Sequence, residues 1–141
     1  MKILVPVDGS ANGRRAVVHV VQLIALLKQV PQILLLNVQR NVASGNVKLF
    51  ISHETIDEHY KEHGNAALDS AREVLDTAGF AYQYHISVGS PASAIAQYAQ
   101  HQQVDLIVMG RQGQGGLHSL VLGSVVNNVL NLAEIPVLLV K

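Results

Sequence analysis

The sequence predicts an α/β protein built on an open parallel sheet with helices on both faces. Three observations predict it. Short runs dense in Val, Ile and Leu, with little polar alternation, recur along the chain, as strands covered on both faces require. Longer stretches between them carry apolar residues at three- and four-residue intervals, the helical period. The two kinds alternate from end to end in the order β-α-β-α-β-α-β-α-β, which implies right-handed crossovers.

Each element has its own justification. Residues 3–7 form the first apolar run, and the stretch around its end reads "VPVDGS". Ser10 then stands as a helix N-cap. The pattern over residues 10–30 carries Ala16, Val17, Val20, Val21, Ile24 and Leu27 as a broad apolar face. Residues 33–38 are the second strand. Residues 40–52 are irregular, and Gly45 marks them as a loop, either a plain surface connection or a flap. Residues 54–78 place Ile56, Tyr60, Ala67, Leu68, Ala71, Val74, Leu75 and Ala78 mostly at helical spacing, and Gly79 supplies a stop. Residues 81–88 alternate more strongly, as an edge strand does. Ser90 and Pro91 read as N-cap and first helical residue of a helix through His101. Residues 106–109 are the fourth strand, Ser124 opens a helix to about Leu132, and residues 137–140 are the last strand.

Composition sets limits on function. A chain of 141 residues suits one domain, residues 1–141, with no internal repeat, low-complexity tract or linker. Ten basic residues balance ten acidic ones, so no global field draws the protein to nucleic acid or an anionic membrane. There is no cysteine, which excludes disulfides, zinc thiolates and thiol nucleophiles. The N-terminal run is cut off by Pro6 and Asp8, too short for a signal peptide. The most apolar run, residues 16–27, is interrupted by His19 and Gln22 and does not make a membrane span. The expected location is the cytoplasm.

The chemistry is expected where strand order reverses, since open parallel sheets bind ligands beyond the carboxyl ends of their strands. If the first and fourth strands are neighbours there, Asp8 faces the same crevice as Gly110. The segment "GRQGQGGLHSLVLGS", residues 110–124, would then bring a glycine-rich backbone into a helix start. Residues without a Cβ let main-chain N–H groups approach an anion, and the free N–H groups and dipole of a helix starting at Ser124 favour phosphate. It is not a Walker loop, because no lysine precedes Ser124, and no GxGxxG follows the first strand.

The spacing of Gly110, Gly113, Gly123 and Ser124, with "ILVPVDGS" near the start, resembles the universal stress protein family. "VGSPASAIAQYAQHQQVDLIVMGRQG" is similar to that family's third helix and fourth strand, and "IPVLLVK" to its final strand. The resemblance implies a five-stranded parallel sheet of order 3-2-1-4-5, Rossmann-like in layout. For the subgroup that keeps the glycines it implies ATP binding. Carried over by position, Pro6, Val7 and Asp8 lie by the adenosine, with Asp8 accepting from ribose or adenine. Val38 packs on the base. Met109 and Gly110 stand at the nucleoside–phosphate junction. Gly113, Gly123, Ser124 and Val125 contact the phosphates, and Arg111 compensates charge or points into water. The chain departs from the pattern at Asn37, where many relatives have histidine. Residues 114–122 carry Gly115, Gly116 and His118 but no lysine or arginine, so a triphosphate would rest on backbone, helix end and a metal ion such as Mg2+. The resemblance also implies a homodimer through the last strand.

Other constellations carry less. "HYKEH", residues 59–63, matches H-x-x-E-H, a zinc-protease pattern, but no third ligand or cleft accompanies it. His118 sits in the glycine segment, where it either approaches a terminal phosphate or is simply a loop histidine. No Ser-His-Asp set or carboxylate pair is evident. The expected activity is a nucleotide-dependent regulatory module of the stress response with an unidentified signalling partner and at most slow ATP hydrolysis. The rivals are a ligand-free dimeric interaction module of the same fold, a hydrolase or transferase using His118, and a binder of flavin or another adenosine cofactor.

Overall fold

The computed structural model describes residues 1–41, 53–113 and 121–141. In chain order the elements are β1 (Lys2–Pro6), α1 (Ala11–Ile24), β2 (Gln32–Gln39), α2 (His53–Ala78), β3 (Tyr82–Val88), α3 (Pro91–His101), β4 (Leu106–Gly110), α4 (Ser124–Leu132) and β5 (Val137–Val140). All strand pairings are parallel, and the strands lie in the order β3-β2-β1-β4-β5. The expected topology is therefore observed. The order reverses between β1 and β4.

The alternation of side chains along a strand sorts the core into two layers. Ile3, Val5 and Val7 of the first strand and its exit, with Ile33 and Leu35 of β2, face α1 and α2, where they meet Val17, Val20, Leu68 and Leu75. Leu4, Leu34, Leu36 and Ile107 face the other way, onto Ile95 and Ala99 of α3 and Val126 and Val129 of α4. This burial on both faces is why the strands read as unbroken apolar runs rather than alternating ones. β3 lies at the sheet edge as expected, but the expected alternation is not kept, since Gln83, Tyr84 and His85 are exposed in succession.

Local signals set most ends. The Ser10 hydroxyl accepts from the Gly13 N–H at 3.2 Å, capping α1 as expected. Gly79 takes φ 76° just past α2, and Phe80 N–H donates back to the Leu75 carbonyl at 3.0 Å. Ser90 caps α3 by position, its carbonyl accepting from Ala94 N–H at 2.9 Å, but its hydroxyl makes no cap bond.

One boundary needs correction. The first helical pattern was expected to run to residue 30, yet α1 ends at Ile24. Ile24 is the last side chain of this helix that the core buries, and Leu26 beyond it is 82% exposed. With no surface to bury against, the remaining apolar residues turn the chain back through short-range bonds from Leu26 and Leu27 to Leu23 and Ile24.

Candidate functional site

The register fixes what converges at the reversal. Pro6 pairs with Leu36, so Val7 and Asp8 leave β1 beside Asn37 and Val38. Leu4 pairs with Ile107, which carries Met109 and Gly110 alongside the exit of β1. Beyond these strand ends opens a cleft of about 1110 Å³. Its lining includes Pro6, Val7, Asp8, Val38, Met109, Gly110, Gly113, Gly123, Ser124 and Val125. The expected site residues are thus brought together, with the exception of Arg111, which does not line the cleft.

Arg111 is instead part of the neck of the glycine segment. Its N–H donates to the Val140 carbonyl at 2.9 Å, and its carbonyl accepts from Gly123 N–H at 3.1 Å. Gln112 Nε2 donates to the Val121 carbonyl at 2.6 Å. These bonds bring the end of β4 against the start of α4, closing the glycine segment between them at its base. They seat Gly113 beside Gly123: a Cβ on Gly123 would lie 3.7 Å from the Gly113 nitrogen.

The glycines serve different ends. At Gly110 an added Cβ would stand 2.6 Å from the main-chain oxygen of Asn12. This glycine lets β4 pass under the first turn of α1; it lines the cleft, but its missing side chain is required by packing. At Gly113 an added Cβ would lie 2.5 Å from Asp8 Oδ2. Here the absent side chain lets the Asp8 carboxylate lie directly against the bare backbone of Gly113. Gly123 is the N-cap of α4 and provides no side-chain cap bond. The first N–H groups of α4 have no intrahelical partner, and Ser124, Val125 and Val126 all line the cleft. Such a helix end suits an anion.

Asp8 has two tasks. Its Oδ1 accepts from Ser10 N–H at 3.0 Å and so holds the entry to α1, while Oδ2 faces Gly113. Val7 has its main chain engaged, its N–H donating to Leu36 and its carbonyl accepting from Asn37 Nδ2 at 2.8 Å. Asn37 is buried, and its Oδ1 accepts from Gln39 Nε2 at 2.5 Å. This internal network ties the ends of β1 and β2 together. Sequence reasoning noted Asn37 as a departure but missed that role; the signal was a lone polar residue in an apolar strand, which burial obliges to bond. It also missed Arg40 and His63, which join the lining at the β2 end.

His59 and His63 do share a face of α2, with ring centroids 4.0 Å apart. Among the described residues no group of three or more His, Asp and Glu is placed to hold a metal ion. His118, Gly115, Gly116 and residues 42–52 of the expected flap lie outside the described residues. Among the described residues no helix is long and apolar enough to cross a membrane.

Chemically, the cleft lining combines the apolar side chains of Val38, Ile95 and Met109 with the carboxylate of Asp8 and the free N–H groups that open α4. That arrangement fits a flat ring, a hydroxyl-bearing link and an anionic tail. Comparison with known proteins agrees in fold and lineage. Universal stress protein MJ0531 of Methanocaldococcus jannaschii is 34% identical over 144 residues, spanning 99% of this chain and 81% of the relative. The solved structure of MJ0577, from the same organism, superposes with a TM-score of 0.83 at 30% identity, covering 99% of this chain and 94% of that one. A universal stress protein solved in complex with cAMP superposes at 0.71 with 26% identity, covering 100% and 97% of the two chains. The model of the universal stress protein family matches residues 1–141, and this chain belongs to that family.

Proposed function

We propose that this protein binds ATP in the cleft and acts as a nucleotide-dependent regulatory module of the stress response. The observation that carries the reading is the convergence of Asp8, Val38, Gly113, Gly123 and Ser124 on one cleft at the strand reversal. In this reading the base lies along Val38 and Met109. Asp8 accepts from a ribose hydroxyl. The phosphates meet main-chain N–H groups of Gly113 and the first turn of α4, with the Ser124 hydroxyl adding a donor. Arg111 compensates charge from the neck, outside the lining. The relative solved with cAMP supports an adenine nucleotide as the ligand class. Mg2+ would ride on the phosphate oxygens, since the described residues offer no cluster of their own for it.

The functional unit of this reading is a single domain, residues 1–141, in the cytoplasm. It is a homodimer joined through β5, whose residues Val137–Val140 are all partly exposed at the sheet edge. Hydrolysis is at most slow, and a signalling partner reads the nucleotide state. Denaturing freshly purified protein and identifying the released nucleotide tests the binding, together with calorimetry against ATP, ADP, AMP and GTP. Adenine nucleotide in the supernatant and a saturable isotherm are expected. A flat isotherm with every nucleotide, from a protein that is nonetheless dimeric, would favour a ligand-free interaction module.

A further inference from the structure

We propose that His63 reads the base: its Nε2 offers an acceptor to the six-position amino group of adenine and so sets adenine above 6-oxo purines. The inference rests on the nucleotide reading above and deepens it.

His63 lies on α2 and lines the cleft, as do Val38, Gln39 and Arg40 at the end of β2. The His63 side chain is exposed, but the backbone of α2 beside it is held by packing. An added Cβ on the neighbouring Gly64 would stand 2.6 Å from Ile86 Cγ2, so α2 is pressed onto β3 at this turn. The other α2 residues on the lining are Ala66 and Ala67, whose side chains carry no polar atom. His63 is therefore the polar group that α2 presents to the cleft.

Its tautomer follows from its bond. Nδ1 lies 2.9 Å from the main-chain oxygen of His59. A carbonyl oxygen only accepts, so Nδ1 carries the hydrogen, and in the neutral ring Nε2 is left as an acceptor. The His59 ring, centred 4.0 Å away, backs the imidazole and restricts its rotation. Of the other side chains at this end, Asn37 is engaged, and Gln39 keeps only its Oε1 as a further acceptor. Asn37 donates to Val7 and accepts from Gln39, whose amide nitrogen is thereby used. Arg40 has donors only and would favour a 6-oxo group. An acceptor at Nε2 complements the amino group of adenine and repels the O6 of hypoxanthine or guanine, a distinction made at one atom of the base.

The test is calorimetric titration of wild type, His63→Phe and His63→Gln with ATP, ITP and purine riboside triphosphate, which lacks a six-position substituent. Phenylalanine keeps a ring and removes the acceptor; glutamine restores one. Wild type should bind ATP about fivefold more tightly than ITP, the worth of one net hydrogen bond. His63→Phe should bring the two within twofold by weakening ATP alone, leaving purine riboside triphosphate unchanged, and His63→Gln should recover part of the preference. An unchanged ATP-to-ITP ratio in His63→Phe, equal weakening of all three nucleotides, or a wild type that prefers ITP would each overturn the assignment of His63. A wild type that binds none of the three would sink the nucleotide reading and this inference with it, which sets the two failures apart.

Discussion

Replacing Gly113 by alanine is the sharpest perturbation of the proposed phosphate site. The new methyl would begin 2.5 Å from Asp8 Oδ2, where ordinary van der Waals contact starts at 3.4 Å. The two must separate by about 0.9 Å, by moving the carboxylate, the backbone or both. Asp8 cannot withdraw freely, because Oδ1 holds Ser10 N–H at 3.0 Å. Gly113 has no positive φ, so alanine meets no backbone strain of its own. The residue is exposed, so the cost to folding should stay within about 1 kcal/mol. The cost to binding is larger. Shifting the Gly113 N–H and the Asp8 carboxylate together removes one or two charge-assisted hydrogen bonds, about 1.5–3 kcal/mol each at the phosphate and less at the ribose. That corresponds to a Kd for ATP raised about 10- to 100-fold. Calorimetry measures the Kd, and urea denaturation without nucleotide confirms that stability is retained. Equal ATP affinity in wild type and Gly113→Ala, with both proteins folded, would refute the placement of phosphate beside Gly113.

Gly110→Ala should act through the fold instead. Its Cβ would stand 2.6 Å from a main-chain oxygen of Asn12, and a stability loss of about 2–3 kcal/mol is expected from urea unfolding. Asn37→Ala removes the donor to the buried Val7 carbonyl and should cost about 1–3 kcal/mol, read from the same midpoint. Alkaline pH should weaken the protein. Burial raises the Tyr98 phenol above its ordinary 10.0, and Tyr82 is raised too, by burial and then by its hydrogen bond to Asp76. The folded state holds these protons more tightly than the unfolded chain does. Their contribution is complete below about pH 10 and is lost as pH climbs through the raised folded values. Unfolding midpoints between about pH 8 and about pH 11 should fall, and Tyr98→Phe should flatten that fall.

Much was legible in the sequence because it is written locally. Apolar runs, helical spacing, Ser10 and Gly79 act within a few residues of themselves, and the structure keeps the strands and most helix ends they indicated. The first helix was over-extended because periodicity continues past Ile24, whereas burial depends on how far the core reaches, and no residue of α1 records that. The glycine segment was legible as a pattern, but not the reason for each glycine. Gly110 and Gly113 look alike in the chain, yet one is required by Asn12 and the other by Asp8, both about a hundred residues away.

By itself the sequence determined the alternation of strands and helices, their covering on both faces, and the position of a carboxylate and a bare backbone at two strand ends. Periodicity and composition are properties of neighbours along the chain, and they suffice for that much. Only the tertiary structure decided that Asn37 binds Val7, that Arg111 belongs to the neck rather than the lining, and that His63 reaches the cleft from α2. Each of these depends on register and on the closeness of packed backbones. Those quantities exist only once distant segments have met.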